Sequence, residues 1–370
     1  MILRTLYISV IALLLFSCGK DSGEAMNTSN SGKAAAQTKT MDKELAKGPL
    51  SKIYIIADDS VWDSAMTDSI IYYFQSAYPI LPAPEPLYDL MRYSTQQIKN
   101  KQERRELRTY MLLADLNDPE SAATKMALKD IGPEKAKAVK ESGSYKLIVG
   151  KDKWAEGQII VYLMGHGKEQ LYDNIRDNFN AIDKAIRKGE ESKRNNSVYL
   201  GGINSKVKSE IRETMSINLE VPSGFKMAMN NKEDKVIWLR KDDKDAILNL
   251  MIKNMGTFDE AGFSKEGMKA IRNELGLFVS SKIENSYMII NDIDLPMLMS
   301  STSFNNNFAL EARGIWELEN DFMGGPFISY IVHNPNSDQV FFIDGFVHAP
   351  GEEKREHMLQ LEHIIKTLAF

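Results

Sequence analysis

Cysteine is almost absent from this sequence, since Cys18 is the single cysteine among 370 residues. An intrachain disulfide and a C-x-x-C redox or metal motif are therefore both excluded. Cys18 follows a short cationic start with Arg4 and an apolar run over residues 6–16 that only Ser9 interrupts. This layout is typical of a secretory signal, and the run is shorter than the ~20 apolar residues that span a bilayer.

The residues that end the apolar run, Leu15-Phe16-Ser17-Cys18, resemble the lipobox of bacterial lipoproteins. The resemblance implies a signal peptide over residues 1–17, cleavage between Ser17 and Cys18, and lipidation of Cys18 with a diacylglyceryl group and a palmitate-type acyl chain. One acyl chain alone gives only marginal membrane binding, whereas several chains anchor stably. An ordinary signal peptide that happens to end near a cysteine is the alternative.

Residues 18–48 lack aromatic residues, valine and isoleucine, and small and polar residues dominate. Such a segment buries too little apolar surface to offset the entropy of ordering it, so we expect a flexible linker behind the lipidated cysteine. The remaining chain divides into an N-terminal half, 49–200, and a C-terminal half, 201–370. The polar segment 189–211 is the predicted junction.

An excess of basic residues is also missing, because the net charge is −5 and no run of Lys and Arg forms a phosphate-binding stripe. This charge balance argues against nucleic acid, and we expect no nucleic-acid partner. No later segment is apolar enough to span a membrane. We expect a protein of the cell envelope, tethered to the outer membrane through its acylated N-terminus. The sequence leaves open whether the periplasmic or the surface face carries it.

The hydrophobic patterns predict an α+β fold with a sheet and covering helices in each half. Strands are expected over 52–57, 108–116, 145–149 and 158–164, with helices over 61–77, 119–129, 133–142 and 168–188. The C-terminal half is expected to begin with strands at 216–221, 225–229 and 235–239 and to contain a helix over 264–276. An antiparallel meander over 307–318, 326–333 and 339–348 and a closing helix over 352–368 complete it. Both halves end in a strand, a glycine turn and a helix, which favours a duplication, although such endings are common.

Strong catalytic signatures are missing, including G-x-S-x-G, H-E-x-x-H and a phosphate-binding loop. The alternative function, a glycan or peptide hydrolase of the envelope, would use carboxylates near 58–68 and 242–245 or one of five histidines. Asp58-Asp59-Ser60 is better explained as helix N-cap chemistry. His333 and His348 end neighbouring strands, and a hairpin could bring them closer together. We predict no metal site and no cofactor.

The segment 311–330 is the most informative part of the C-terminal half. Gly324 and Gly325 could let a ligand approach the backbone, and Trp316, Tyr330, Phe322 and Phe327 could line an aromatic pocket. Trp316, Gly324, Gly325 and Tyr330 are therefore the candidate ligand-binding residues. The simpler interpretation is a turn with aromatic residues that fill the core of the sheet.

Four segments together resemble a family of uncharacterised Bacteroidota lipoproteins, a domain of unknown function: LFSCG, LPAPEPLYDL, EARGIWELENDFMGGPFISY and GFVHAPGEEKREHMLQLEHIIKTL. The resemblance implies a lipid-anchored envelope protein and assigns no catalytic residues. We expect a non-enzymatic lipoprotein that binds an envelope protein or a small ligand.

Overall fold

The computed structural model describes residues 26–27, 43–257 and 263–370. The described part contains two β-sheets, one in each half of the chain, and helices pack on both faces of each sheet. This arrangement confirms the predicted α+β class.

The first sheet is mostly parallel. Its strands are β1 (Met26–Asn27), β2 (Lys52–Ile56), β3 (Asp89–Tyr93), β4 (Thr109–Asp115), β5 (Lys146–Lys151) and β6 (Ile159–Gly165). Their order is β1-β5-β6-β4-β2-β3, and of the strand pairs in the described ranges only β5–β6 is antiparallel. Short apolar runs had predicted β2, β4, β5 and β6, whereas the parallel order was not predicted.

Helices cover both faces of this sheet because alternate strand residues point to opposite sides. The helices are α1 (Ser64–Phe74), α2 (Thr95–Lys99), α3 (Gln102–Arg105), α4 (Ala122–Ile131), α5 (Pro133–Glu141) and α6 (Lys168–Val198). Ile53 and Ile55 pack with α1 and α6, and Tyr54 and Ile56 pack on the face that carries α2, α4 and α5.

The second sheet is antiparallel throughout and curls around its core. Its strands are β7 (Lys226–Asn231), β8 (Val236–Asp242), β9 (Ile247–Thr257), β10 (Tyr287–Asn291), β11 (Leu298–Phe304), β12 (Asn307–Glu319), β13 (Gly324–Asn334) and β14 (Gln339–His348). The order is β10-β12-β13-β14-β9-β8-β7, and β11 pairs with β12 beside β10. The predicted meander is confirmed as β12, β13 and β14.

Among the described residues, three helices cover the second sheet: α7 (Ser205–Met215), α8 (Lys265–Gly276) and α9 (Arg355–Ile365). Apolar residues of α7 and α9 pack on one face, and those of α8 pack on the other. The predicted helices at 264–276 and 352–368 are confirmed as α8 and α9, whereas α7 was missed. Within the described ranges, no helix has the length and apolarity needed to cross a membrane.

Two local predictions are wrong. The polar residues 189–198 continue α6 to Val198, partly because the buried Glu190 accepts hydrogen bonds from the Ser51 backbone and the Thr109 hydroxyl. Residues 216–221 form only isolated bridges and no strand. The first sheet is largely parallel and the second antiparallel, so the described halves share no common topology that a duplication would leave.

Candidate functional site

An open depression of about 440 Å³ lies where the second sheet meets a proline-rich segment of the N-terminal half, residues 79–86. Its wall and floor include Pro82, Trp316, Gly324, Gly325, His348 and Lys354. Three of the four predicted ligand-binding residues therefore lie together.

The floor of this depression is closely packed. A Cβ atom on Gly325 would lie 1.9 Å from the carbonyl oxygen of Val347, so the close approach of β13 and β14 requires glycine here. The indole N–H of Trp316 donates to the same oxygen over 3.2 Å, and the ring packs edge-on against Phe346. Trp316 is buried, and its one polar atom is engaged within the protein.

Tyr330 lies elsewhere, and the prediction that it shares an aromatic pocket with Trp316 is wrong. Trp316 packs in the core under α8, whereas Tyr330 packs in the core under α9, on the opposite face of the sheet. Trp316 is paired with Gly325, so both lie on the same face of the sheet. Tyr330 is five residues further along β13, and since successive residues alternate between faces, it lies on the opposite one.

Two fully exposed apolar side chains flank the depression. Phe322 is 106% exposed in the turn between β12 and β13, and Ile293 is 96% exposed in the turn after β10. Both turns border the depression, since Phe322, Asn291 and Asp294 line it. We call Ile293 and Phe322 the apolar rim. Acidic residues accompany the rim, namely Asp294, Glu317 and Asp321.

The proline arm, residues 78–90, joins the two halves at this place. Glu85 accepts hydrogen bonds from the backbone N–H groups of Lys354 and Arg355 over 2.6 and 2.8 Å, and so caps the start of α9. The Arg355 guanidinium returns to the arm, where it donates to the Pro86 carbonyl and to Asp89. Tyr78 and Leu81 of the arm are buried in the core of the C-terminal half.

A partly buried charged network continues this contact. The Arg313 guanidinium donates to the Tyr78 hydroxyl, to Glu311 and to Glu362 over 2.9, 2.6 and 3.0 Å. The Tyr330 hydroxyl donates to the other oxygen of Glu311 over 2.8 Å. Burial opposes ionisation of Glu362, but the nearby charge of Arg313 and an ion pair with Lys366 lower its pKa to about 2. Burial raises the pKa of Tyr78 to about 12. Tyr330 is therefore part of the joint between the halves.

A second polar cluster lies at the carboxyl edge of the first sheet. Asp58 accepts from the Ser121 hydroxyl and the Ala123 backbone N–H, so it caps α4. Asp115 accepts from the backbone N–H of Gly167, just before α6, over 2.9 Å. Asp63 caps α1, in place of the predicted 58–60. The hydrogen bonds and the Lys168 ammonium lower the pKa of Asp63, with the lysine contributing most. These carboxylates are engaged in fixing helix starts.

The remaining sequence candidates do not converge. His333 contacts Asp338, and His348 contacts the Gly324 carbonyl, at opposite ends of the β13–β14 hairpin. The acidic residues at 242–245 form ion pairs with their neighbours Arg240, Lys241 and Lys244. In the part of the chain that the structure describes, no three metal-ligating side chains gather into a cation site. Ser17 and Cys18 lie outside the described residues.

Sequence reasoning missed Ile293, Glu85 and Arg355. The signal for Ile293 was an isolated apolar residue between Asp292 and Asp294 in a turn. Glu85 and Arg355 lay within two of the segments that carried the family resemblance, but nothing in the sequence linked them to each other.

Both halves are similar to families without an assigned function. Residues 46–199 match a domain of unknown function, DUF8532, and residues 204–367 match another, DUF4837. No curated protein matches the chain. Two solved structures are similar to part of it, a mutant of protein Mog1 and the Ran-binding protein Mog1p of Saccharomyces cerevisiae. Each is 11% identical with a TM-score of 0.27, and the match covers 41% of this chain and 89% of the other.

Proposed function

We propose that this protein is a lipid-anchored protein of the cell envelope that binds a partner protein at the apolar rim, without catalysis. The observation that carries the proposal is the complete exposure of Phe322 and Ile293 in two turns that border the same depression. A solvent-exposed phenylalanine gains nothing from folding, whereas burial against a partner stabilises an aromatic side chain by about 1.5–3 kcal/mol.

The surroundings of the rim support a protein as the ligand. Aromatic anchors with a polar border are typical of the energetic centre of protein interfaces. Three carboxylates, Asp294, Glu317 and Asp321, line the depression together with one ammonium group, Lys354, so a partner with an apolar knob and basic neighbours fits best. The joint through Glu85 and Arg313 holds Pro82 and Lys354 beside the rim, so both halves contribute to one binding surface.

The anchor is the second part of the proposal. The lipobox-like residues before Cys18 and the polar linker behind it support attachment to the outer membrane through acyl chains, in a bacterium of the Bacteroidota. Replacement of Cys18 by Ser should leave the precursor unprocessed or release the protein from the membrane fraction. Unchanged processing together with full membrane retention would contradict the anchor.

The partner is tested by affinity capture of the full-length lipoprotein from detergent-solubilised membranes. The Phe322→Ala variant should lose a partner that the wild-type protein retains. Tyr72→Ala is the matched control, because Tyr72 is an exposed aromatic residue on α1, in the other half. Equal recovery of every bound protein with the wild type and Phe322→Ala would overturn the assignment of the rim. Turnover of a glycan or peptide by the wild type would favour the hydrolase alternative.

A further inference from the structure

Strand β11 forms an open edge of the second sheet. All seven of its residues pair with β12, from Leu298 opposite Arg313 to Phe304 opposite Asn307. Among the described residues, no backbone group lies in hydrogen-bonding position along its outer side. An edge strand leaves half of its N–H and C=O groups available to another strand.

The sequence of β11, LMSSTSF, contains none of the features that protect edges against pairing. It has no charge, no proline and no bulge along its ladder. The outer strand β7 carries Lys226 and a register shift between Met227 and Met229. The outer strand β3 carries Asp89 and Arg92. Proteins that keep an edge unpaired usually place such features there.

Strand β10, the neighbouring edge, is uncharged as well, but it is covered. The Met288 N–H donates to the Val279 carbonyl, and the Ile290 N–H donates to the Asn273 side chain. The chain thus satisfies the outer donors of β10 with α8 and the segment behind it. The same chain provides no such cover for β11 in the described ranges.

We propose that β11 is a dimerisation edge, on which β11 of a second copy pairs antiparallel about Ser301. In this register Leu298 lies opposite Phe304, Met299 opposite Ser303, and Ser300 opposite Thr302. The two side chains of each pair project from the same face of the sheet, because the paired residues are separated by an even number of positions along the strand. Leu298 is half-exposed, whereas Phe304 is buried against Tyr330 in its own core, so the pairing rests on the backbone hydrogen bonds and on the hydroxyl-bearing residues that meet across the centre.

A second copy suits this edge better than an unrelated segment. The edge has no charge that would select an oppositely charged strand, and no like charges oppose each other in self-pairing. The two-fold register brings together strands of equal length, and the exposed Ser301 of each copy meets its own counterpart at the centre. One strand pair buries less surface than a standard interface, so the dimer is expected to be weak and concentration-dependent. This inference does not rest on the apolar rim.

The register is tested by disulfide trapping in the full-length protein, purified in detergent. Ser301→Cys places two thiols directly opposite, with Cα atoms ~4.5–5.5 Å apart, within the range of a disulfide. Ser303→Cys is the matched control, because its two copies would lie four residues apart, or ~13 Å along the strands. Both serines are exposed. Peptide mapping distinguishes a 301–301 link from any link through Cys18.

The predicted result is a 301–301 disulfide in Ser301→Cys and several-fold less dimer in Ser303→Cys. Sedimentation should show a wild-type mass that rises from monomer to dimer with concentration. Ser301→Lys, which opposes two like charges, should remain monomeric, while Ser192→Lys on exposed α6 should behave as the wild type. A monomeric wild type without the 301–301 link, equal trapping at 303, or capture of another protein's segment by β11 would overturn the proposal.

Discussion

The Glu85 carboxylate accepts a 2.8 Å hydrogen bond from the backbone N–H of Arg355, although the two residues are 270 positions apart. One residue of the N-terminal half therefore caps a helix of the C-terminal half. The contact explains why the proline arm runs beside α9, and it places Pro82 at the edge of the candidate site.

Replacement of Glu85 by Ala should lower the free energy of unfolding by about 1–3 kcal/mol, because two N–H groups at the start of α9 lose their acceptor. Glu85→Gln keeps one of the two acceptor oxygens and should fall in between. Denaturant unfolding measures the change. Glu284→Ala, at an exposed carboxylate, should stay within about 0.5 kcal/mol. An equal effect of both alanine variants would contradict the capping role.

Replacement of Glu362 by Gln should alter the pH dependence of stability. The folded pKa of Glu362, about 2, lies below its unfolded value, so its charge stabilises the protein at neutral pH. This stabilisation is lost as the pH falls from about 5 to about 2. The difference in unfolding free energy between the wild type and the variant should therefore be largest above pH 5 and shrink toward pH 2.

Unfolding curves of both proteins at several pH values provide this test. Glu284→Gln serves as the control and should track the wild type at each pH. A difference that stays constant from pH 7 to pH 2 would show that Glu362 is not ionised in the folded network.

Replacement of Gly325 by Ala should destabilise the protein by about 1–3 kcal/mol, since the new methyl group meets the Val347 carbonyl and the strands must separate. Gly224→Ala is the matched control, because there the methyl group would contact only the flexible Lys241 side chain. Thermal unfolding should separate the two variants. Equal melting temperatures would mean that β13 tolerates a side chain at this position.

Replacement of Phe322 by Ala should change the free energy of unfolding by less than about 0.5 kcal/mol, because the side chain is fully exposed. Partner affinity, in contrast, should fall about tenfold or more, as expected for an aromatic anchor. Parallel unfolding and binding measurements on one preparation give both numbers. A large loss of stability would indicate that Phe322 packs within the protein.

Local patterns predicted the elements that are apolar throughout, such as β2, β4 and β6. Helix α7 also carried a signal, since Asn204 caps it and Val207, Ile211 and Met215 recur every four residues. The charged residues between them concealed that stripe. Alternation of apolar residues in 216–221 predicted a strand. The pattern reflects burial alone, because Ile217, Leu219 and Val221 are buried without a partner strand.

The contacts that build the candidate site are long-range, and no local pattern encodes them. Asp58 was expected to cap the helix that follows it, yet it caps α4, and Ala123 is 65 residues away. Trp316, Phe327 and Tyr330 were correctly placed in one sheet, but their division between its two faces depends on the register of β12 with β13, and Phe322 lies in the turn between these strands.

Site-specific photo-crosslinking in intact membranes tests the central claim most directly. A photoreactive residue at position 322 of the full-length lipoprotein, compared with one at the exposed Tyr72, probes the rim against a matched surface. The account predicts a discrete crosslinked protein at 322 that is absent at 72. The same adducts at both positions, or none at 322 while the protein remains folded and membrane-bound, would contradict it.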